Sequence, residues 1–157
     1  MFTGEKTVRP WLIYSAAALV FSADRWLKGI AWGYGAPAGK PVEFALFLNK
    51  GIAFSLPLPP FLFWPLAVAA AAAVCWLGFG PDSRRSRLAK PLAAMILLGG
   101  LSNIIDRRVF GATVDYIIFF GVSAVNLADL MIIGGLAGLV LLMRRRPTQP
   151  PKETPPA

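Results

Sequence analysis

Residues Phe61 to Gly80 form a run of twenty without a single charge. Nothing else in the chain constrains its fold as much. A helix rises about 1.5 Å per residue, so about 20 residues cross the roughly 30 Å hydrocarbon core of a bilayer. A helix of a soluble bundle shows polar positions every few residues, and this run is apolar all round. Three shorter uncharged runs accompany it: Trp11 to Ala23, Pro91 to Ile105 and Leu130 to Met143. Each reaches spanning length only by taking in polar neighbours. The first must continue through Asp24 and Lys28, the third must reach Asp106, and the fourth must begin near Asn126 and include Asp129. The pattern predicts a mainly α, integral membrane four-helix bundle with spans at about 11–30, 61–80, 88–106 and 126–143. A cleaved signal peptide is the rival for the first run, since Lys6 and Arg9 precede it. The chain beyond that run is more membrane-type sequence, not a soluble mature domain.

The charges supply an orientation. Only 15% of the 157 residues are charged, against about 25% in a soluble domain, yet the net charge is +8. Lys6, Arg9, Arg84, Arg85, Arg87, Lys90, Arg144, Arg145, Arg146 and Lys152 fall on one side of the spans. Those ten basic residues stand against Glu5, Asp82 and Glu153, a net +7, and leave +1 for the rest. The positive-inside rule then predicts cytoplasmic N- and C-termini. The basic character is a topology signal, and no nucleic-acid partner is expected because no aromatic-interleaved soluble domain carries the arginines. Residues 1–146 are expected to form one membrane-embedded domain. Residues 147–157, with five prolines, read as a disordered cytoplasmic tail. Trp11, Trp32 and Trp64 read as interfacial anchors, and Cys75 as a packing residue within its span.

Two segments, about 31–60 and 107–125, are left outside the membrane. The first reads as a glycine- and proline-rich loop, a strand at Val42–Leu48, and a turn at Asn49-Lys50-Gly51 into a second strand at Ile52–Leu56. The second carries a β-prone run, Thr113–Phe120. A small extracytoplasmic β element is expected from them.

There is no histidine and one cysteine, which excludes a Ser-His-Asp triad, a Cys-His pair and an HExxH zinc site. Acid–base chemistry has to come from eight carboxylates, lysines, tyrosines or backbone. Half of those carboxylates, Asp24, Asp106, Asp115 and Asp129, sit at or near the outer ends of spans. An ionisable group there costs several kcal/mol unless it is paired or hydrated, so each needs a reason. Asp24 and Lys28, spaced i, i+4, can neutralise each other as a structural ion pair. Asn103, Asp106 and Arg107 form one polar face behind Gly99-Gly100, and an Asp106–Arg107 contact is more often structural than catalytic. Asn126 as helix cap and Asp129 in the first turn are a sufficient local explanation of each other. Asp115 differs. It lies in the apolar run Val114–Phe120 without a basic neighbour in sequence, where desolvation raises a carboxyl pKa. If Asp115 and Asp129 meet, the pair holds one proton near neutral pH, as an aspartic protease requires. Spacing alone does not bring them together.

Five motifs in order resemble bacterial lipoprotein signal peptidase (signal peptidase II), over roughly Trp11 to Met143. Asp24-Arg25-Trp26-Leu27-Lys28 resembles the family's Asp-x-x-x-Lys signature. Asn49-Lys50-Gly51-Ile52-Ala53-Phe54-Ser55 resembles its Asn-x-Gly-x-Ala-Phe loop. Gly99 to Arg107 resembles Gly-Gly-x-x-Asn-x-x-Asp-Arg, Val114-Asp115-Tyr116 its Val-Asp-aromatic step, and Val125 to Asp129 its Asn-x-Ala-Asp signature. Arg25, Ser102 and Val125 depart from the family's frequent Gln, Gly and Phe. None is expected to touch a carboxylate, so the departures bear on substrate-contact detail.

The resemblance implies an aspartyl protease of the bacterial cytoplasmic membrane, its site near the outer face. Asp115 and Asp129 are implied as the catalytic dyad, and Asp24, beside Lys28, as a structurally important acid. Asn103, Arg107 and Asn126 are implied to line the substrate cleft, Asn49 and Gly51 to belong to the β element, and Asp106 to brace the third span. The implied substrate is a diacylglyceryl-prolipoprotein, cut just before its lipidated cysteine. Implied partners are membrane lipid and the cyclic peptide inhibitor globomycin. A dyad and a water need no cofactor, and nothing in the sequence requires more than a monomer. Two rivals remain: a Ser-Lys peptidase using Ser55 with Lys28 or Lys50, and a transporter or channel lined by Asp24, Asn103 and Asp129. Against the second, the chain shows no repeated halves.

Overall fold

The first helix starts where a proline suits it, at the first position, whose N–H no helix uses. In a computed structural model of the chain, which describes residues 8–51, 58–81 and 86–144, this helix α1 runs Pro10–Ala31. The expected strand Ile52–Leu56, Ser55 and the tail at 147–157 lie outside the described residues. Strand β1 (Val42–Asn49) is next, then α2 (Pro60–Phe79), again with proline at its start. Helix α3 (Ala89–Phe110), strands β2 (Thr113–Phe119) and β3 (Ser123–Val125), and helix α4 (Leu127–Arg144) complete the order.

Phe61–Phe79, Ala89–Phe110 and Leu127–Arg144 are long and apolar enough to cross a membrane. Helix α1 has the length, 22 residues, but carries Asp24, Arg25 and Lys28 in its C-terminal half. Phe61, Leu66, Val68 and Trp76 are mostly exposed along α2, an apolar surface that water does not favour and lipid does. Cys75 is exposed on that helix, not packed as expected. The third helix runs four residues past its expected end at Asp106. Polar residues do not stop it. Gly111 does, by taking the left-handed conformation (φ +71°) and donating its N–H to the Arg107 carbonyl at 3.1 Å.

Helix α3 is central, packed against α1, α2 and α4. Its contact with α4 requires Gly99: a Cβ there would lie 2.5 Å from the Ala128 carbonyl oxygen. That close approach brings the first turn of α4, and so Asp129, against the polar end of α3.

The strands form one antiparallel sheet in the order β1-β2-β3. The expected strands at Val42–Leu48 and Thr113–Phe120 are present and pair with each other. Strand β3 is not legible in the sequence. Phe44 pairs with Ile117 and Phe47 with Asp115, so β1 carries one extra residue between them. This bulge sets the end register in which Asn49 faces Thr113 and stands diagonally beside Asp115. Val114 and Tyr116 point into a small core with Ala31, flanked by Leu27, Phe44 and Leu127. By strand alternation, Thr113 and Asp115 point the other way.

Candidate functional site

The four acids come together, but in two groups. The first group joins α1 to α3. The Lys28 ammonium lies 3.1 Å from Asp24 and 2.8 Å from Asp106. It also donates to Asn103 Oδ1 at 2.8 Å and to the Ser102 hydroxyl at 3.3 Å. Arg25 reaches Asp106 at 2.5 Å and donates to both the carbonyl and the hydroxyl of Ser102. Asp24 accepts from Ser102, Tyr116 and the Ala128 N–H at 2.5, 2.9 and 3.1 Å, besides its ion pair. Asp106 also accepts from the Val114 N–H at 3.2 Å. Two carboxylates face two cations, and every carboxylate oxygen is bonded. Burial is near total for Asp24, Lys28, Ser102 and Asp106, which buried charges tolerate only when paired and hydrogen-bonded in this way.

The second group faces a cavity. Asp115 is buried on β2, and amides serve it instead of cations: Asn49 Nδ2 at 3.0 Å and Asn126 Nδ2 at 2.6 Å. Asp129 accepts from Asn103 Nδ2 at 2.8 Å and from the Asn126 N–H at 3.2 Å. Asn126 Oδ1 in turn accepts the Asp129 N–H at 2.9 Å. Asn126 and Asp129 therefore cap each other reciprocally at the start of α4. Asn126 links the two acids, because the amide that donates to Asp115 also donates to Asn103, at 3.2 Å. Burial pushes the Asp115 carboxyl up to about 7. The nearby charge of Asp129 adds to the rise, and the Asn49 and Asn126 hydrogen bonds and the charge of Lys28 oppose it.

Arg107 lines the same cavity as this pair. Its guanidinium sits 4.3 Å from the centre of the Phe63 ring, donates to Thr113 at 3.0 Å and donates to the Gly51 carbonyl. Its charge acts on both Asp115 and Asp129. The cavity, about 740 Å3, has Asn49, Asn103, Arg107, Asp115 and Asp129 at its polar end. From there an apolar lane runs between α2 and α4, past Ala67, Ala70 and Ala71 on one side and Ile132 and Ile133 on the other. The arrangement suits acid–base chemistry on a largely apolar molecule with one polar point.

The structure brings together all ten residues singled out in the sequence. Asp115, Asp129, Asn49, Asn103 and Arg107 line the cavity. Asn126 and Gly51 touch those residues, while Asp24, Lys28 and Asp106 sit in the α1–α3 group. Three expectations need correction. Asn103, Asp106 and Arg107 do not share one face. Consecutive helix residues point about 100° apart, so Asn103 and Arg107 face the cavity while Ser102 and Asp106 face α1. Asp106 accordingly pairs with Arg25 and Lys28, not with Arg107. Lastly, Arg25 and Ser102 do touch carboxylates, Asp106 and Asp24 respectively, and they touch each other. Of the three departures only Val125 lines the cavity. Lys28, bonded to four neighbours, is not placed as a free base, and Asp24 does not line the cavity.

Sequence reasoning passes over Ser102 as a functional residue and gives Tyr116 only as the aromatic after Asp115. The signal for Ser102 is its i, i+4 spacing from Asp106. Tyr116 offers a hydroxyl in an otherwise apolar strand.

Membrane-crossing helices around a cavity with a carboxylate-bearing end define a membrane protein with an enzyme-like site. Comparison narrows this class. The family model for signal peptidase (SPase) II matches residues 16–145. A lipoprotein signal peptidase of Azoarcus sp. is 32% identical over 150 residues, covering 87% of this chain and 83% of its own length. One of Mesorhizobium japonicum is 32% identical over 146 residues, covering 85% and 86%. A solved structure described as a bacterial membrane enzyme, obtained by the in meso method, superposes with a TM-score of 0.66 at 20% identity, covering 93% of this chain and 94% of that one. The chain belongs to the signal peptidase II family.

Proposed function

We propose that this chain is an aspartyl endopeptidase that removes the signal peptide from diacylglyceryl-modified prolipoproteins, cutting just before the lipidated cysteine. The observation that carries the reading is the pairing of Asp115 and Asp129 at one cavity end, held by amides with no cation among the described residues bonded to either. The charge balance supports it. The α1–α3 group is neutral in itself, so Arg107 is left to balance one negative charge, which two carboxyls sharing a proton supply.

In this mechanism the ionised carboxyl takes a proton from water as the water attacks the scissile carbonyl. The protonated carboxyl donates to that carbonyl oxygen, and a carboxyl then returns a proton to the leaving amine. Asn103 and Asn126 hold the carboxyls in place, and Arg107 faces the charge that develops on the peptide. Asn49 and Gly51 form the edge of the β element over the site. Asp24, Lys28 and Asp106 brace the helices that carry it. No cofactor enters these steps. The apolar lane takes the signal helix and acyl chains, and the polar end meets the scissile bond at the level of the lipidated cysteine.

The same reading has four spans, α1 included, in the bacterial inner membrane. Residues 1–146 form the peptidase domain, the site lies toward the outer face, and both termini and the tail at 147–157 are cytoplasmic. It acts as a monomer and is inhibited by globomycin.

The decisive assay is a gel shift of a diacylglyceryl-prolipoprotein incubated with the purified protein. The expected result is conversion to a smaller product, blocked by globomycin. Cleavage of the unlipidated precursor at equal rate, or no conversion at all, overturns the reading. A reporter fused after Met143 is expected in the cytoplasm and one within residues 31–40 outside. The reverse overturns the orientation.

A further inference from the structure

Tyr116 is fully buried and lies outside the cavity. It comes directly after Asp115 on β2, so its side chain leaves the opposite face of the sheet and no substrate reaches it. Its hydroxyl is nevertheless committed twice. It donates to Asp24 at 2.9 Å and accepts the Leu127 N–H at 3.0 Å. Leu127 opens α4, whose unpaired N–H groups need outside acceptors. They find them in Tyr116, in Asp24 through Ala128, and in Asn126 through Asp129. One phenol thus ties the strand carrying Asp115 to the first turn of the helix carrying Asp129. Its ring is fixed in turn by Phe44, with centroids 5.5 Å apart.

Resting on the aspartyl reading of the site, we infer that Tyr116 is a positioning residue that sets the separation of the two carboxyls by bolting the start of α4 to β2. The hydroxyl suits this task because burial raises its pKa, so it keeps both its donor and its acceptor character across the working range. The charged groups around the pair are Asp24 and Lys28 of α1 and Arg107 of α3. The Tyr116→Phe substitution removes none of them. What it changes is geometry, and a misplacement of about 1 Å at reacting groups costs up to about 100-fold in rate.

The test is a kinetic comparison of the full chain in detergent, below the unfolding midpoint of every variant. Tyr116→Phe is expected to lower kcat about 10- to 100-fold and leave KM unchanged. Its pH–rate bell should also narrow, because carboxyls set farther apart couple less and their two apparent pKa values converge. Leu127→Pro breaks the same link from the other side, since proline is tolerated at the first helical position but has no N–H. It is expected to lower kcat likewise. Arg25→Gln loosens the network away from α4 and is expected to lower the unfolding midpoint while leaving kcat and bell width as in the parent. Parental kcat and bell width in Tyr116→Phe overturn the inference. So does an equal loss of kcat in Arg25→Gln, which would make the effect general loosening. Asp115→Asn is assayed in parallel. If that variant keeps activity, the aspartyl reading fails instead, and the two failures are told apart.

Discussion

Asp24 and Asp106 on one side, and Asp115 and Asp129 on the other, are the same residue type in adjoining hydrogen-bonded groups, and they do opposite things. The first two are bonded at every oxygen by Arg25, Lys28, Ser102, Tyr116 and backbone N–H groups, and neither lines the cavity. The second two receive amide donors and face a cavity. A carboxylate bonded to a cation is held in its charged form and is a fastening. A carboxyl held by neutral amides beside another carboxyl can keep or give up a proton, and that is what acid–base catalysis needs. The character of an acid near a membrane is therefore decided by its partners.

Substitutions that remove a charge but keep the shape put this contrast at risk. The largest effect is expected at the cavity. Asp115→Asn and Asp129→Asn should each lower precursor cleavage by at least about 10²- to 10⁴-fold, while the protein still inserts and its unfolding midpoint is maintained. Full activity in either variant removes the distinction between the groups. Next comes Asp24→Asn, which leaves Lys28 with one fewer anion in a buried network. Breaking such a pair costs about 3–5 kcal/mol, so the thermal midpoint in detergent should drop and activity should follow the folded fraction. An Asp24→Asn protein of parental stability without activity would move Asp24 into the catalytic group.

The smallest effect is the dependence of stability on pH. Asp115 holds its proton more tightly folded than unfolded, its pKa rising from 3.8 to about 7. Its stabilising contribution is thus fully present below about 3.8 and is lost as pH rises toward 7. The parent midpoint should fall over that interval relative to Asp115→Asn, by a few kcal/mol at most in free-energy terms. Parallel curves for the two proteins would mean that the Asp115 carboxyl is not perturbed.

Much of the architecture is legible because the membrane imposes simple rules on composition. The helix at Pro60–Phe79 can be read from its uncharged run, and α4 from its cap residues Asn126 and Asp129. The strands at Val42–Asn49 and Thr113–Phe119 announce themselves by β-prone runs between glycines. The end of α3 is not legible from charge: Arg107 and Arg108 look like a boundary, whereas Gly111 supplies the stop. Strand β3 has only three residues, too few for any periodicity to be seen.

Membership of the chain's helices in apolar blocks, the clustering of scarce carboxylates near span ends, and the order of five family motifs are properties of the sequence alone. They arise from solvation and residue spacing, which are local along the chain. Which acids meet which partners is a different matter. Asn103 and Arg107 turn to the cavity while Ser102 and Asp106 turn to α1 through helical rotation, and Asp115 comes to Asp129 through the sheet bulge, the Asn126 amide and the close approach at Gly99. Those pairings join residues up to about 100 positions apart in the chain, as Asp24 and Ala128 are. No local pattern encodes them, so only the packed tertiary structure separates the fastening acids from the reactive ones.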